Sequence, residues 1–282
     1  MTPTLSPPRR ERMVPWRPRA TAALVLASSL GLLAFGWPLL VDADADLARS
    51  TDGPWLFAVV VPLLLAVVVA ELADGGMDAK AVALLGVLTA TGAALRAFSG
   101  GVTGFQPMFV VIVLGGRVLG PGFGFTLGAT SMGASALLTG GVGPWLPFQM
   151  LGAAWVGLGA GLLPALTGRS ELAMLAAYGA VSGLAFGVLL NLWFWPFVVG
   201  ADSGISYVAG APLTENLGRL VTFSLATSLV FDLPRAVGNA ALIAVLGRPV
   251  LAALRRASAR AAFTEPTRFA EPAADGGTEV HP

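Results

Sequence analysis

The chain has 282 residues, of which 55% are hydrophobic and only 12% charged, with a formal net charge of +1 and a mean hydropathy of +0.77. Soluble domains carry about 25% charged residues, so this composition excludes a water-soluble globule and indicates a polytopic membrane protein. The absence of cysteine removes disulfides and thiolate metal sites, and the single histidine, His281, lies beyond the last apolar run, so no histidine-based metal site, triad or interior proton relay is available.

Residues 1–19, rich in Pro and Arg, read as a disordered cytoplasmic tail. Apolar runs at 20–41 and 54–73 follow and predict two N-terminal transmembrane helices within residues 20–78. An Arg-rich start before an apolar run also resembles a signal peptide, with Ala43-Asp44-Ala45 as its cleavage site, although the run exceeds the usual core of about 7–15 residues. The connection at 42–53, with Asp42, Asp44, Asp46 and Asp52, reads as a solvated loop.

Six further runs occupy 79–97, 105–118, 120–138, 148–167, 172–199 and 217–247. They are continuous rather than alternating, which favours helices over a barrel and predicts an all-α membrane bundle. The run at 105–118 is interrupted by Pro107 and Arg117 and is short for a span of about 20 residues, so it is either a crossing or a re-entrant segment. Eight crossings put thirteen of the seventeen basic residues on one side, Arg117, Arg169 and Arg255 among them. Basic loops stay in the cytoplasm, so the economical orientation has both termini inside the cell membrane. Residues 251–282 are expected to form a second disordered cytoplasmic tail.

Several catalytic engines are missing. The only lysine, Lys80, stands in Met77-Asp78-Ala79-Lys80, which is not a phosphate-cradling loop, so any ATPase must be another subunit. Asp232 is the one carboxylate well inside a span and can pair with Arg235 one turn later. Counting from Leu217 at about 1.5 Å per residue sets the pair roughly 22–27 Å along a crossing of about 30 Å, near the cytoplasmic end. The expectation is a structural ion pair; a coupling role for Asp232 would define the alternative, an ion- or proton-coupled secondary transporter. A membrane scaffold without a solute is a third reading.

The 36 glycines fall repeatedly at a spacing of four. Gly120, Gly124 and Gly128 form one such stripe and Ala153, Gly157 and Gly161 another, the pattern by which membrane helices approach closely. The run at 79–97 carries two small faces, Gly86-Ala90-Ala94 and Thr89-Ala93-Ala97, and one helix rarely needs both internally. A partner subunit on one of them is the expectation.

The loops predicted to face outside combine glycines, aromatic rings and amides. Gln106, Trp145, Gln149 and Asn216 belong to these loops or their edges, Asn191 and Trp193 approach from the run at 172–199, and Arg96 ends the run at 79–97. Their convergence on one rim predicts a pocket for a planar or amide-bearing solute, with apolar walls and few orienting polar groups.

From about 79 to 250 the chain resembles the substrate-binding S components of energy-coupling factor (ECF) vitamin transporters. The resemblance rests on Ala90-xxx-Ala94, the short helix after Gln106-Pro107, Gly115-Gly-Arg-Val-Leu-Gly-Pro-Gly-Phe-Gly124, Gly143-Pro-Trp-Leu-Pro-Phe-Gln-Met150 and Phe231-Asp-Leu-Pro-Arg-Ala-Val-Gly-Asn-Ala240. It implies a six-helix core at 79–250, preceded here by two extra helices. It also implies a non-enzymatic subunit that captures a vitamin outside and hands it inward with a T component and two cytoplasmic ATPases, docking through the Ala-xxx-Ala face. Within the family the motifs look closest to members linked with cobalamin or left without an assigned vitamin. No cofactor, metal or nucleic acid is expected.

Overall fold

A computed structural model describes residues 18–40, 79–99, 104–197 and 203–262, with Val61, Pro62, Leu65, Ala66 and Val69 between the first two stretches. Residues 1–17 of the tail expected at 1–19, most of the crossing at 54–73 and the acidic loop lie outside the described residues, and Pro18 and Arg19 already belong to the first helix. The elements are α1 (Pro18–Gly36), α2 (Ala79–Phe98), α3 (Met108–Leu119), α4 (Pro121–Thr139), α5 (Leu146–Leu162), α6 (Gly168–Phe194), α7 (Leu213–Phe223) and α8 (Leu229–Ala262). No strand occurs among the described residues. Four segments are long and apolar enough to cross a membrane: Thr21–Leu39, Ala79–Phe98, Gly168–Phe197 and Leu213–Ala259.

The segment left open between crossing and re-entrant forms is α3. At 12 residues it is about 18 Å long, well short of the hydrocarbon thickness, and ten of its residues are buried. A short helix is tolerated at membrane depth because protein, not lipid, surrounds it. Its start lies beside the loop that packs on Phe231 and Gly238, and its end lies beside Glu171, so it runs between the two ends of the bundle. Gly120, at φ +104, then turns the chain directly into α4, a conformation closed to residues with a Cβ.

The two glycine stripes face each other. A Cβ on Gly124 would strike the backbone of Gly157, one on Gly128 the backbone of Ala153, and one on Gly161 the backbone of Pro121. Helices α4 and α5 therefore touch through main chain, where lipid supplies no hydrophobic drive and dispersion must do the work. A second close approach joins α6 and α8: Gly183 lies against the Ala236 backbone, while Gly179 and Gly187 leave room for the side chains of Ile243 and Asp232.

Helix α2 divides its two small faces. Ala93 is buried, Gly92 lies against Ser131, and Thr89 shares a 2.8 Å hydroxyl bond with Thr130 of α4. Gly86 and Ala90 are exposed, Ala94 is half-buried, and nothing lies within 4 Å of where a Gly86 Cβ would be.

Helix α1 is seated on α5 and α6. Phe35 meets Phe148 edge-on at 5.0 Å, Ser28 accepts from Trp155 Nε1 at 3.0 Å, and Trp37 stacks on Phe197 at 5.5 Å. Val61 and Leu65 join the same apolar cluster.

Two boundaries differ from expectation. The final run is far longer than 217–247: α7 passes through a π-helical turn at Ser224–Ser228 into α8 without a break. It continues to Ala262, so residues 251–262, expected to belong to a disordered tail, are helical; Leu251 and Leu254 are buried against the core, which holds them in place.

Candidate functional site

At one end of the bundle, between α5 and α6, a cleft of about 270 Å³ is lined by Trp145, Gln149, Leu190, Asn191, Trp193 and Phe194. Four of these were expected from the sequence. Trp145 caps the start of α5 and its indole folds back over Gly143, where a side chain would collide with the ring; Nε1 donates to the Gly141 carbonyl at 3.1 Å. One turn on, Gln149 reaches the cleft from the same helix, its backbone N–H bonded to the Trp145 carbonyl. Trp193 is stacked on Phe148 at 4.4 Å with an interplanar angle of 2°, so one wall is a rigid aromatic pair backed by Phe35.

The polar groups are aimed by partners remote in sequence. Arg96 donates to Ser135 Oγ at 2.9 Å and to Gln149 Oε1 at 3.4 Å. Asn191 Nδ2 donates to Ser224 Oγ at 3.1 Å and Ser228 Oγ at 2.7 Å, the two hydroxyls that bracket the π turn. An extra residue in the turn displaces the ladder locally, and such turns recur at functional sites. Ser135, Phe148, Leu190, Phe194, Ser224 and Ser228 were not singled out from the sequence. Only the spacing of four between the two serines, with nothing to show what they face, could have drawn attention to them.

Three expected residues do not line the cleft: Arg96, which meets it only through Gln149, and Asn216 and Gln106. Asn216 is spent on its own loop: Oδ1 accepts from the Val208 N–H at 3.1 Å and Nδ2 donates to the Val208 carbonyl at 2.8 Å. Gln106 sits in the turn before α3, with its buried Oε1 lacking a hydrogen-bond partner.

The Asp232–Arg235 pair is present, at 2.7 Å, but its place is corrected. Asp232 faces Gly187, about one turn from the cleft residue Asn191, and Gly104 lies against the Phe231 backbone. The pair thus belongs to the cleft end of the bundle and not to the end that carries Arg117 and Arg255. Leu217 is not the membrane boundary of a single crossing, since the helix starts at Leu213 and continues to Ala262. Arg235 also donates to the Gly183 carbonyl at 3.1 Å and lies over Phe186, 5.2 Å from the ring centroid.

The opposite end is closed by a second ionic cluster. Arg117 Nε donates to Glu171 Oε1 at 2.7 Å, and its remaining nitrogens donate to the carbonyls of Leu163, Pro164 and Leu166. Arg255 Nη2 reaches both oxygens of the same carboxylate, at 2.8 and 2.7 Å. Among the described residues no group of histidine, aspartate and glutamate could hold a metal ion.

The sequence profile of the family described as "ECF transporter, substrate-specific component" matches residues 80–247. The chain belongs to this family. No curated protein and no solved structure matches it. The matched span begins at α2, so α1 stands outside the part of this ECF substrate-specific component that the family shares. The family consists of transporter subunits rather than enzymes, and its members work as multi-pass membrane proteins with T and ATPase modules.

Proposed function

We propose that this substrate-specific component captures a vitamin in the cleft between α5 and α6, on the outer side of the cell membrane. It then delivers the vitamin inward in complex with a T component and two cytoplasmic ATPases. The observation that carries the reading is the meeting of Trp145, Gln149, Asn191 and Trp193 in one cleft, with apolar area supplied by rings and orientation by two amides. The volume of about 270 Å³ lies at the small end for ligand sites, which supports a vitamin of one or two rings rather than cobalamin. The open Gly86-Ala90-Ala94 face supports docking of the T component there, since small residues permit close helix approach. The Arg235 partner held by Asp232 argues against a freely titrating coupling carboxylate, and so against the secondary-transporter reading.

The test is ligand capture. Protein purified in gentle detergent or nanodiscs should retain a small molecule identifiable by mass spectrometry. Trp145→Ala or Gln149→Ala should weaken its binding about tenfold or more while leaving the melting temperature unchanged. Unchanged affinity in both variants would remove the cleft from the mechanism.

A further inference from the structure

We propose that the solute enters this cleft with an acidic group, a carboxylate above all, set against the corner formed by Arg96 and Gln149. The inference rests on the capture role proposed above and adds the charge of the solute.

Among the described residues, the cleft end holds three guanidinium groups, Arg96, Arg219 and Arg235, and two carboxylates, Glu215 and Asp232, with Glu215 paired to Arg219. Asp232 is committed to Arg235, both side chains being only 7% exposed. Arg96 has no carboxylate among the described residues: it is held by a serine hydroxyl and an amide oxygen, and the charged neighbour it feels is Arg235, of the same sign. A partly buried cation with only neutral acceptors is poorly compensated, so an anion is the ligand group that gains most there. The far end of the bundle shows the contrast, because Arg117 there has Glu171.

Arginine only donates, and the Gln149 amide lies with Oε1 towards the guanidinium and its two N–H groups turned from it. The corner therefore offers donors. At 3.4 Å the Arg96–Gln149 contact lies beyond the usual range for N–H···O bonds, and a carboxylate oxygen could replace the amide with a shorter, charge-assisted bond. The partly exposed rings of Trp145 and Phe194 supply apolar surface for the rest of the molecule.

Nanodisc-embedded wild-type protein, Arg96→Gln and Arg96→Lys would be equilibrated with an equimolar mixture of nicotinate, nicotinamide, biotin, biotinamide, pantothenate, panthenol, thiamine and riboflavin. Retained compounds would be quantified by mass spectrometry after rapid desalting. The expected result is retention of an acid in preference to its neutral counterpart. Affinity should fall about 10- to 100-fold in Arg96→Gln, with partial recovery in Arg96→Lys. Preference for a neutral or cationic compound, or an acid held equally by Arg96→Gln, overturns the inference and leaves capture standing. Retention of nothing by the wild type sinks capture and this inference together. The acid-versus-neutral comparison uses wild-type protein alone and holds even where a variant fails to fold.

Discussion

Replacing Glu171 by glutamine removes one charge and almost no volume, and the surrounding geometry sets what that should cost. The carboxylate is 2% exposed, and the Arg117 side chain that donates to it is fully buried. Three backbone carbonyls occupy the other Arg117 nitrogens, so the variant leaves a buried guanidinium among neutral acceptors only. Stranding a buried charge in this way costs about 3–5 kcal/mol. Arg255 is 48% exposed at its side chain, and its share of the cluster is worth about 1 kcal/mol or less. At about 2–4 °C per kcal/mol for a chain of this size, Glu171→Gln should lower the melting temperature by roughly 6 °C or more and Arg255→Gln by no more than about 4 °C. Thermal unfolding followed by circular dichroism in one detergent measures both. A Glu171→Gln protein melting within about 2 °C of wild type, or together with Arg255→Gln, would refute the assignment of this cluster as the pin that joins α3, α6 and the loop between α5 and α6.

Three further outcomes follow from other parts of the molecule. Phe35→Ala should destabilise the fold by about 3 kcal/mol and weaken ligand binding, because Phe35 backs the Phe148–Trp193 wall; melting curves and ligand titration report the two effects separately. Ala90→Leu should block co-purification with the T component while sparing ligand affinity, and assembly at wild-type levels would place docking elsewhere. Burial raises the Tyr207 phenol above its ordinary value of 10.0, and its hydroxyl has no hydrogen-bond partner. The neutral form is thus favoured in the folded state, stability falls as pH rises through and above 10, and Tyr207→Phe should lessen that alkaline decline, read as melting temperature against pH.

Much of the bundle was legible because its determinants are local. Apolar runs located α2 to α6 within a few residues, and small residues at spacing four marked both stripes of the α4–α5 contact. Trp145, Gln149, Asn191 and Trp193 could be nominated because amides and indoles are conspicuous in an apolar chain. Asn216 and Gln106 were nominated on the same grounds and do not line the cleft, since an amide that serves its own loop has the same composition as one that serves a ligand. Asp232 and Arg235 were paired correctly from a spacing of three, yet assigned to the wrong end, because helix length beyond the membrane leaves no mark in hydropathy alone.

By itself the sequence determined that this protein lives in a membrane as a helical bundle, that it lacks a nucleotide loop, and that its family resemblance begins near residue 79. These follow from composition and short-range periodicity, which the bilayer reads directly by demanding internal backbone bonding. Tertiary structure decided which of the two small faces of α2 stays open, which way the Gln149 amide points, and that Arg96 is held by neutral acceptors. Each depends on residues far apart in the chain, such as Arg96 with Ser135 and Gln149 or Asn191 with Ser224 and Ser228. Side-chain hydrogen bonds hold only across a few ångströms, so only the folded arrangement of helices assigns them.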